Sequence, residues 1–482
     1  MVSASPTASR AAVPPDRPGP PRRSSRRHGV ALLVALAVLI ALVEAISNGR
    51  QTTSGTAQSF PHTAYAPQPD RNAEWVGPTN GLSDKAIDAL AQNAGIQIMT
   101  KFANGFDISA HFEDARRLAA AAKAANNPIQ IYEYFSASFW FTANESGWGK
   151  YADGFDNAWL LHDVNGQPIP FYGMGHRADG VSAPIGYLLD LSNPDFRAWA
   201  EKTIVSWMQA APYAGIIFDS ANPLLSGTSR ASIGAGDMMN FEQLLCGSVG
   251  FTQLPCQKMD SWNQGLTTLI SQTTATLHTM GRHVIYNGIA PSPLRGPTRN
   301  IGLLASADAT TNESFCLTAG TRPPYRAEFQ PLTDDLTLMK KIAGEHKKVI
   351  EVTNYQSQDN RSYGDYCLAG FLMGWQPGSS YYVFHAGYSD PLGRGYPEVG
   401  EANLQLGDPT GAFRADGSTF SREFDNGFVA MNTGARATTV RAPFAGQRFA
   451  DGVPKGAVQA GQSIRLAAHE TLYLLSNKYL YG

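Results

Sequence analysis

Short apolar segments alternate with amphipathic helical segments along most of this 482-residue chain, and this alternation constrains the fold more than any other feature. A chain that repeats a strand, a helix and a further strand builds one parallel sheet with helices packed on it. We predict eight strands, at Ile96–Lys101, Ile129–Tyr134, Tyr187–Leu191, Gly215–Asp219, His283–Asn287, Leu303–Ala307, Lys348–Thr353 and Tyr381–His385. Eight such units within about 310 residues are typical of an α/β fold of the (β/α)8 TIM-barrel type with insertions, which we place at residues 73–400.

The helices between these strands have recognisable beginnings. Pro194–Ala210 is the clearest, because Asn193 is suited to the N-cap, proline is favoured in the first turn, and apolar residues recur on one face. We predict that other helices begin near Ser83, Asp114, Asp260 and Asp334. A doubly wound sheet is the alternative, but no glycine-rich phosphate-binding turn follows the first strand.

The pattern changes after about residue 406, where short alternating segments and turns replace the helical period. Predicted strands are Gly427–Asn432, Thr438–Arg441, Ser463–Leu466 and Thr471–Leu475. Residues 401–482 are therefore expected to form a small antiparallel β domain that packs against the barrel.

The N-terminal part of the chain indicates a location outside the cytoplasm. Residues 1–28 are rich in Pro, Ser, Ala and Arg and are predicted to be a disordered cytoplasmic segment. An apolar run follows the arginines, so we predict a transmembrane anchor or signal peptide at residues 29–47. Retention as an anchor is favoured because Val43 stands where a cleavage site needs a small residue. Residues 48–72 are predicted to be a linker, with the remainder extracytoplasmic, membrane-anchored or secreted.

Four cysteines agree with that location, because disulfides persist outside the cytoplasm. Three pairings are possible, and we favour Cys246 with Cys256 and Cys316 with Cys367. A zinc site is less expected, since no CxxC pair or regularly spaced histidines accompany them. We therefore predict neither a metal nor an organic cofactor.

The charge balance bears on possible partners. Lys and Arg total 38 and Asp and Glu total 40, which gives a formal net charge of −2. Such a chain has no basic field to bind a phosphate backbone, so no nucleic-acid partner is predicted.

Two acidic residues stand where a barrel places its chemistry, at the carboxyl ends of strands. Asp219 ends the apolar run Gly215-Ile-Ile-Phe, and Glu313 follows the sixth predicted strand. Glycoside cleavage needs two carboxyl groups, one to protonate the leaving oxygen and one to attack or stabilise the anomeric carbon. We predict that these residues form such a pair; the alternatives are a helix-capping or loop-bracing aspartate and a solvated loop glutamate.

Other polar and aromatic residues near strand ends are candidate sugar ligands. Sugar rings stack on aromatic planes and sugar hydroxyl groups bind amides and carboxylates, although core packing is an equal alternative for the aromatic residues and a structural role a stronger one for the histidine. The candidate substrate-binding residues are Glu133, Tyr134, Trp140, Asp190, Asn222, Asn287, Glu351, Asn354 and His385.

Four segments in order carry a resemblance to a known family: Asp190-Leu-Ser-Asn-Pro194-Asp-Phe-Arg-Ala-Trp199, Gly215-Ile-Ile-Phe-Asp219-Ser, Asn312-Glu313-Ser-Phe315, and Arg422-Glu-Phe-Asp-Asn426-Gly427-Phe-Val-Ala-Met-Asn432. The chain resembles the hypothetical glycosyl hydrolase family 15 and, more distantly, barrel enzymes related to α-galactosidases and endo-α-1,4-polygalactosaminidases. The resemblance covers about residues 75–478. It implies a glycan substrate and the catalytic pair Asp219 and Glu313.

The sequence therefore predicts a glycoside hydrolase that cleaves an extracellular or cell-surface polysaccharide or oligosaccharide with a carboxylate pair. A non-catalytic glycan-binding protein on a degenerate barrel is one alternative. A structural part of a polysaccharide export system is another.

Overall fold

A computed structural model describes residues 63–65, 82–93, 95–99, 108–141, 154–163, 165–171, 186–221, 256–287, 301–313, 315–319, 327–329, 332–354, 361–385, 404–450 and 452–479. Among these residues no helix is long and apolar enough to cross a membrane. The predicted anchor at residues 29–47 lies outside them.

The centre of the fold is a parallel sheet of eight strands, buried against helices. Its strands, in spatial order, are β1 (Thr63–Tyr65), β2 (Ile96–Ile98), β3 (Gln130–Ser136), β7 (Gly215–Asp219), β8 (His283–Asn287), β9 (Ala309–Asn312), β12 (Lys348–Asn354) and β13 (Ser380–His385). The sheet is curled, because Cα atoms of its two edge strands, β1 and β13, approach within 8 Å. No hydrogen-bonded ladder between described residues joins those two edges.

Helices pack on the convex face of this sheet. They are α1 (Asp84–Asn93), α2 (Ile108–Ala124), α3 (Pro194–Ala210), α4 (Cys256–Thr279), α5 (Leu332–Gly344) and α6 (Arg361–Gly374). Helix α3 begins as predicted, since the Asn193 side chain accepts hydrogen bonds from the N–H groups of Asp195 and Phe196. Helices α2 and α4 begin before the predicted residues, and α6 was not predicted.

The pleat of the strands separates two sets of side chains. Phe135 packs against Trp207 of α3, and Tyr382 stacks on Phe371 of α6, so these rings face the helices. Because side chains alternate along a strand, their neighbours Tyr134 and Tyr381 face the concave interior. The parallel register extends both faces across the sheet.

Two strand predictions are wrong. Leu303–Ala307 was expected to be the sixth strand, but Gly302–Ser306 form a 3-10 helix that buries Leu303 and Leu304. The strand in this part of the chain is instead β9, just after the 3-10 helix. Its sequence, Ala-Thr-Thr-Asn, has no large apolar residue, and it is buried by contacts with other parts of the fold.

The segment predicted as the third strand is also displaced. It forms β6 (Gly186–Leu188), which pairs antiparallel with β4 (Phe139–Phe141) and β5 (Pro170–Phe171) in a separate sheet. The eighth strand of the large sheet is instead β1, which lies in the predicted linker and pairs with β2. A second small pair is β10 (Leu317–Ala319) with β11 (Ala327–Phe329).

The C-terminal region is an antiparallel β structure, as predicted. Its strands are β14 (Arg414–Asp416), β15 (Thr419–Glu423), β16 (Gly427–Asn432), β17 (Thr438–Arg441), β18 (Gly446–Ala450), β19 (Val453–Val458), β20 (Ser463–Leu466) and β21 (Thr471–Ser476). Arg422 is buried and joins this region to α6, because its Nη1 donates hydrogen bonds to the carbonyl oxygens of Leu372, Met373 and Trp375. Leu372 and Met373 lie in the last turn of α6, where carbonyls lack helical partners and a cation is favourable, and Trp375 directly follows the helix.

Candidate active site

Asp219 is the last residue of β7 and lies at the carboxyl edge of the sheet, with 9% of its surface exposed. The Tyr134 hydroxyl donates to Oδ2 at 2.6 Å, and Asn287 Nδ2 donates to Oδ1 at 2.7 Å. The structure thus brings together three predicted site residues from β3, β7 and β8. Both oxygens accept hydrogen bonds, an arrangement that suits an oriented, ionised carboxylate.

The chain turns sharply after Asp219. Ser220 has φ of +55°, a left-handed conformation that costs about 1 kcal/mol or more for a residue other than glycine. The turn is held by Ser138 Oγ, which donates to the Ser220 carbonyl at 2.6 Å, and by Ala221 N–H, which donates to the Asn287 carbonyl at 2.9 Å. Backbone strain of this kind accumulates at functional sites.

The register of the sheet defines the rest of the concave rim. Asn287 pairs with Thr311, Thr311 with Ile350, and Asn354 with His385. By alternation, Asn354 and His385 occupy concave-facing positions at the ends of β12 and β13. Their side chains lie outside the described part of the structure, as does all of Asn222.

Glu313 directly follows β9 and is half-buried. Phe315, two residues further on, is hydrogen-bonded to β12. Its N–H donates to the Val352 carbonyl at 3.2 Å, and Thr353 Oγ1 donates to its carbonyl at 3.1 Å. The predicted disulfide between Cys316 and Cys367 is present and ties this segment to α6. Cys246, of the other predicted disulfide, lies outside the described residues.

Two phenols, those of Tyr132 and Tyr381, lie on the concave face below the rim. Burial raises the pKa of Tyr132, and the nearby Tyr381 and Asp308 raise it further. Burial also raises the pKa of Tyr381. Both phenols therefore stay neutral at physiological pH.

Glu133 lies on the other face of the sheet. Its fully buried carboxylate contacts His111 Nδ1 of α2 at 3.0 Å and accepts a hydrogen bond from Tyr134 N–H at 2.8 Å. His111 was not predictable as a functional or structural partner, because its position on a helix carries no sequence signal for a contact with β3. The structure does not bring Glu133 together with Asp219.

Glu351 also faces the helices. Asn312 Nδ2 donates to Glu351 Oε2 at 2.6 Å and to Asp335 Oδ1 of α5 at 3.2 Å, and all three residues are fully buried. This cluster explains how the polar strand β9 is buried. A run of Thr and Asn followed by Glu can indicate a buried polar strand, but only when the residues that hydrogen-bond to it are known.

Asp190 and Trp140 lie in the region of the three-stranded sheet. Asp190 accepts hydrogen bonds from Ser192 and forms an ion pair with Lys258 of α4. The Trp140 ring stacks on Phe155, with ring centroids 3.7 Å apart, and lies edge-on to Trp199 of α3. One face of the indole is therefore covered by protein.

A carboxylate at the carboxyl edge of a curled, helix-covered parallel sheet is the arrangement used by barrel hydrolases. The described residues around Asp219 form no set of three potential metal ligands. Residues 123–428 match the model of the family described as Hypothetical glycosyl hydrolase family 15. That stretch is more than half of the chain, so the chain belongs to this family and the enzyme is a glycosidase.

Several solved structures resemble the chain. The glycoside hydrolase domain of PelA from Pseudomonas aeruginosa is 14% identical, with 68% of this chain and 95% of that chain covered and a TM-score of 0.38. A maltogenic α-amylase, AmyB, from Thermotoga neapolitana is 12% identical, with 86% and 97% covered and a TM-score of 0.45. An α-amylase from H. orenii is 9% identical, with 87% and 100% covered and a TM-score of 0.48. No curated protein sequence matches the chain.

Proposed function

We propose that this glycosidase is a (β/α)8-barrel enzyme that hydrolyses an extracellular or cell-surface polysaccharide with Asp219 and Glu313 as its carboxylate pair. Asp219 is the nucleophile or charge stabiliser, and Glu313 is the general acid/base. The observation that carries the proposal is the hydrogen bonding of both Asp219 oxygens, to Tyr134 and Asn287, at the carboxyl edge of the sheet.

The environment of Asp219 supports its role. An attacking carboxylate must be ionised and must hold one orientation toward the anomeric carbon. The Tyr134 hydroxyl and the Asn287 amide donate to different oxygens, so together they restrict rotation of the carboxylate. A charge-stabilising carboxylate needs the same restriction.

The register supports the role of Glu313. Asp219 lies on β7, and Glu313 follows β9, two strands away and about two residues further along. Since Asn312 faces the helices, alternation gives the next residue the concave side. Two strand spacings amount to about 9.6 Å between backbones, a span that two inward side chains can narrow to the separation of a carboxylate pair.

Two further features support the proposal: polar residues at the strand ends and a disulfide. Asn354 and His385 occupy concave-facing register positions suited to sugar hydroxyl groups. The disulfide between Cys316 and Cys367 agrees with a chain outside the cytoplasm, either anchored by residues 29–47 or secreted.

The test measures release of reducing ends from a panel of bacterial exopolysaccharides and α-linked oligosaccharides. We expect Asp219→Asn and Glu313→Gln each to lower kcat by about 10²-fold or more, because each removes a group that acts on the transition state. Glu351→Gln is the matched control, since Glu351 faces the helices. The anomeric configuration of the first product will distinguish a retaining from an inverting pair.

Wild-type turnover in both variants would exclude the pair. Binding of a polysaccharide without hydrolysis at any pH would favour the alternative of a glycan-binding protein on a degenerate barrel. Capture of export components together with the chain, again without hydrolysis, would favour a role in polysaccharide export.

A further inference from the structure

Three polar side chains cluster at the amino-terminal edge of the parallel sheet, opposite the edge that carries Asp219. His283 is the first residue of β8, Asp308 directly precedes β9, and His278 lies in the last turn of α4. Parallel strands all begin at one edge and end at the other. The cluster is therefore separated from the candidate active site by the length of the strands.

The end of α4 brings the two histidines together. Gly281 has φ of +66°, Arg282 N–H donates to the Leu277 carbonyl at 2.9 Å, and Gly281 N–H donates to the His278 carbonyl at 3.0 Å. This is a Schellman motif, which reverses the chain after a helix. As a result the rings of His278 and His283 lie 6.3 Å apart, centroid to centroid.

Asp308 is held beside them by the neighbouring strand. Its N–H donates to the Val284 carbonyl at 2.9 Å, and its Oδ2 accepts from Val284 N–H at 2.9 Å. A backbone donor of this kind fixes the orientation of a carboxylate ligand, as the groups behind metal ligands do in metal sites.

The distances among the three side chains match a metal-ligand triangle. His278 Nε2 lies 3.0 Å from both Asp308 oxygens, and His283 Nδ1 lies 3.7 Å from Oδ2. One ligand atom from each residue falls within 4.8 Å of the others. Ligands at about 2.0–2.1 Å from a tetrahedral zinc ion are about 3.3 Å apart, so small side-chain rotations would complete the geometry.

We propose that His278, His283 and Asp308 bind a divalent transition-metal ion such as Zn²⁺, with water as the fourth ligand. Two imidazoles and one carboxylate suit zinc and its neighbours, whereas Mg²⁺ and Ca²⁺ prefer all-oxygen sites. The histidine side chains are 49% and 47% exposed, so the ion and its water have access from solvent. The ion would link the end of α4 to the starts of two adjacent strands. Its ligands come from three segments, which is why their spacing in the sequence did not predict it.

The test is titration of the full-length chain with ZnCl₂ by calorimetry, after removal of any affinity tag and treatment with EDTA followed by buffer exchange. We expect one saturable site, and a Tm that rises with Zn²⁺ concentration because the ion binds the folded state. His278→Gln, His283→Gln and Asp308→Asn are each expected to weaken binding by about tenfold or more.

Two controls keep the result specific. His162→Gln replaces an exposed histidine outside the cluster and should leave Zn²⁺ affinity unchanged. Asp219→Asn should also leave it unchanged, so the outcome is independent of the proposed catalytic pair. Circular dichroism without metal will verify folding of each variant; Asp308→Asn keeps an oxygen to accept from Val284 N–H.

Absence of saturable binding would overturn the proposal. Equal affinity in the wild type and in all three cluster variants would overturn it as well, because the ion would then bind elsewhere.

Discussion

Asp219 and Glu133 are both acidic residues on adjacent strands of one sheet, but they face opposite sides of it. Asp219 lies on the concave side and receives hydrogen bonds from Tyr134 and Asn287 at the carboxyl edge of the sheet. Glu133 lies on the convex side, fully buried against α2, and is paired with His111. Glu351 repeats the second situation against α5.

The face of the sheet, more than the strand, therefore decides the surroundings of an acidic residue. The Asp219 carboxylate lies at the carboxyl edge of the concave face, whereas the Glu133 carboxylate lies beneath a helix and is enclosed by its partners. Removal of the first should alter rate, and removal of the second should alter stability.

The largest expected effect on stability is that of Glu133→Ala. It removes the fully buried Glu133 carboxylate from its contact with His111 Nδ1, so we expect the free energy of unfolding to fall by about 3–5 kcal/mol. Urea denaturation measures this change, and kcat per folded molecule should stay near the wild-type value. Glu113→Ala is the control, because Glu113 is an exposed residue of α2, the helix that carries His111. Loss of hydrolysis at unchanged stability in Glu133→Ala would contradict a purely structural role for Glu133.

The disulfide provides the next test, because it lies three residues beyond Glu313. The double variant Cys316→Ser, Cys367→Ser opens a loop with a sequence separation of 51. We expect a loss of up to about 4 kcal/mol in the chain-entropy model, and a lower kcat because the segment after Glu313 is less constrained. Thermal denaturation and reducing-end release measure the two effects. Unchanged kcat in a folded double variant would mean that the disulfide does not position the rim.

Ser220 tests whether strain is stored beside Asp219. At φ of +55° the variant Ser220→Gly should be more stable than Ser220→Ala by about 1 kcal/mol. This order of stability is the reverse of that in ordinary helices and strands, where alanine is more stable than glycine. Paired chemical denaturation of the two variants measures the difference, and a more stable alanine variant would contradict the strained turn.

The smallest effect concerns Asp163, an acidic residue in neither of the compared environments. Hydrogen bonds from Gln167 N–H and Asn165 N–H lower the pKa of Asp163. Its stabilisation is therefore present above the unfolded-state pKa near 3.9 and is lost as the pH falls through the lower folded-state pKa. Asp163→Ala should cost about 0.5 kcal/mol or less at pH 7, and the difference from wild type should vanish in acid. A difference that grows below pH 4 would contradict this sign.

The sequence was sufficient where a local signal agreed with the tertiary fold. The strand Gly215–Asp219 is a compact apolar run, and Asn193 with Pro194 gives α3 a recognisable beginning. The Cys316–Cys367 pairing was also predicted correctly. In each case the determining interaction is short-range or involves a rare residue type.

Where distant partners compensate for a weak local signal, the prediction was wrong. Strand β9 is polar and is buried because Asn312 contacts Asp335 and Glu351, 23 and 39 residues away in sequence. Leu303 and Leu304 have strand-like composition but fill a helical turn. Local propensity could not identify either choice.

The sequence alone therefore determined the alternation of strands and helices, the C-terminal β region and the acidic residue that ends β7. The tertiary structure alone decided which acids lie on the concave face and which face helices, and it alone assembled His278, His283 and Asp308. The physical reason is that a strand alternates its side chains with a period of two, so the displacement of one residue reverses the face. Only pairing with neighbouring strands fixes that register.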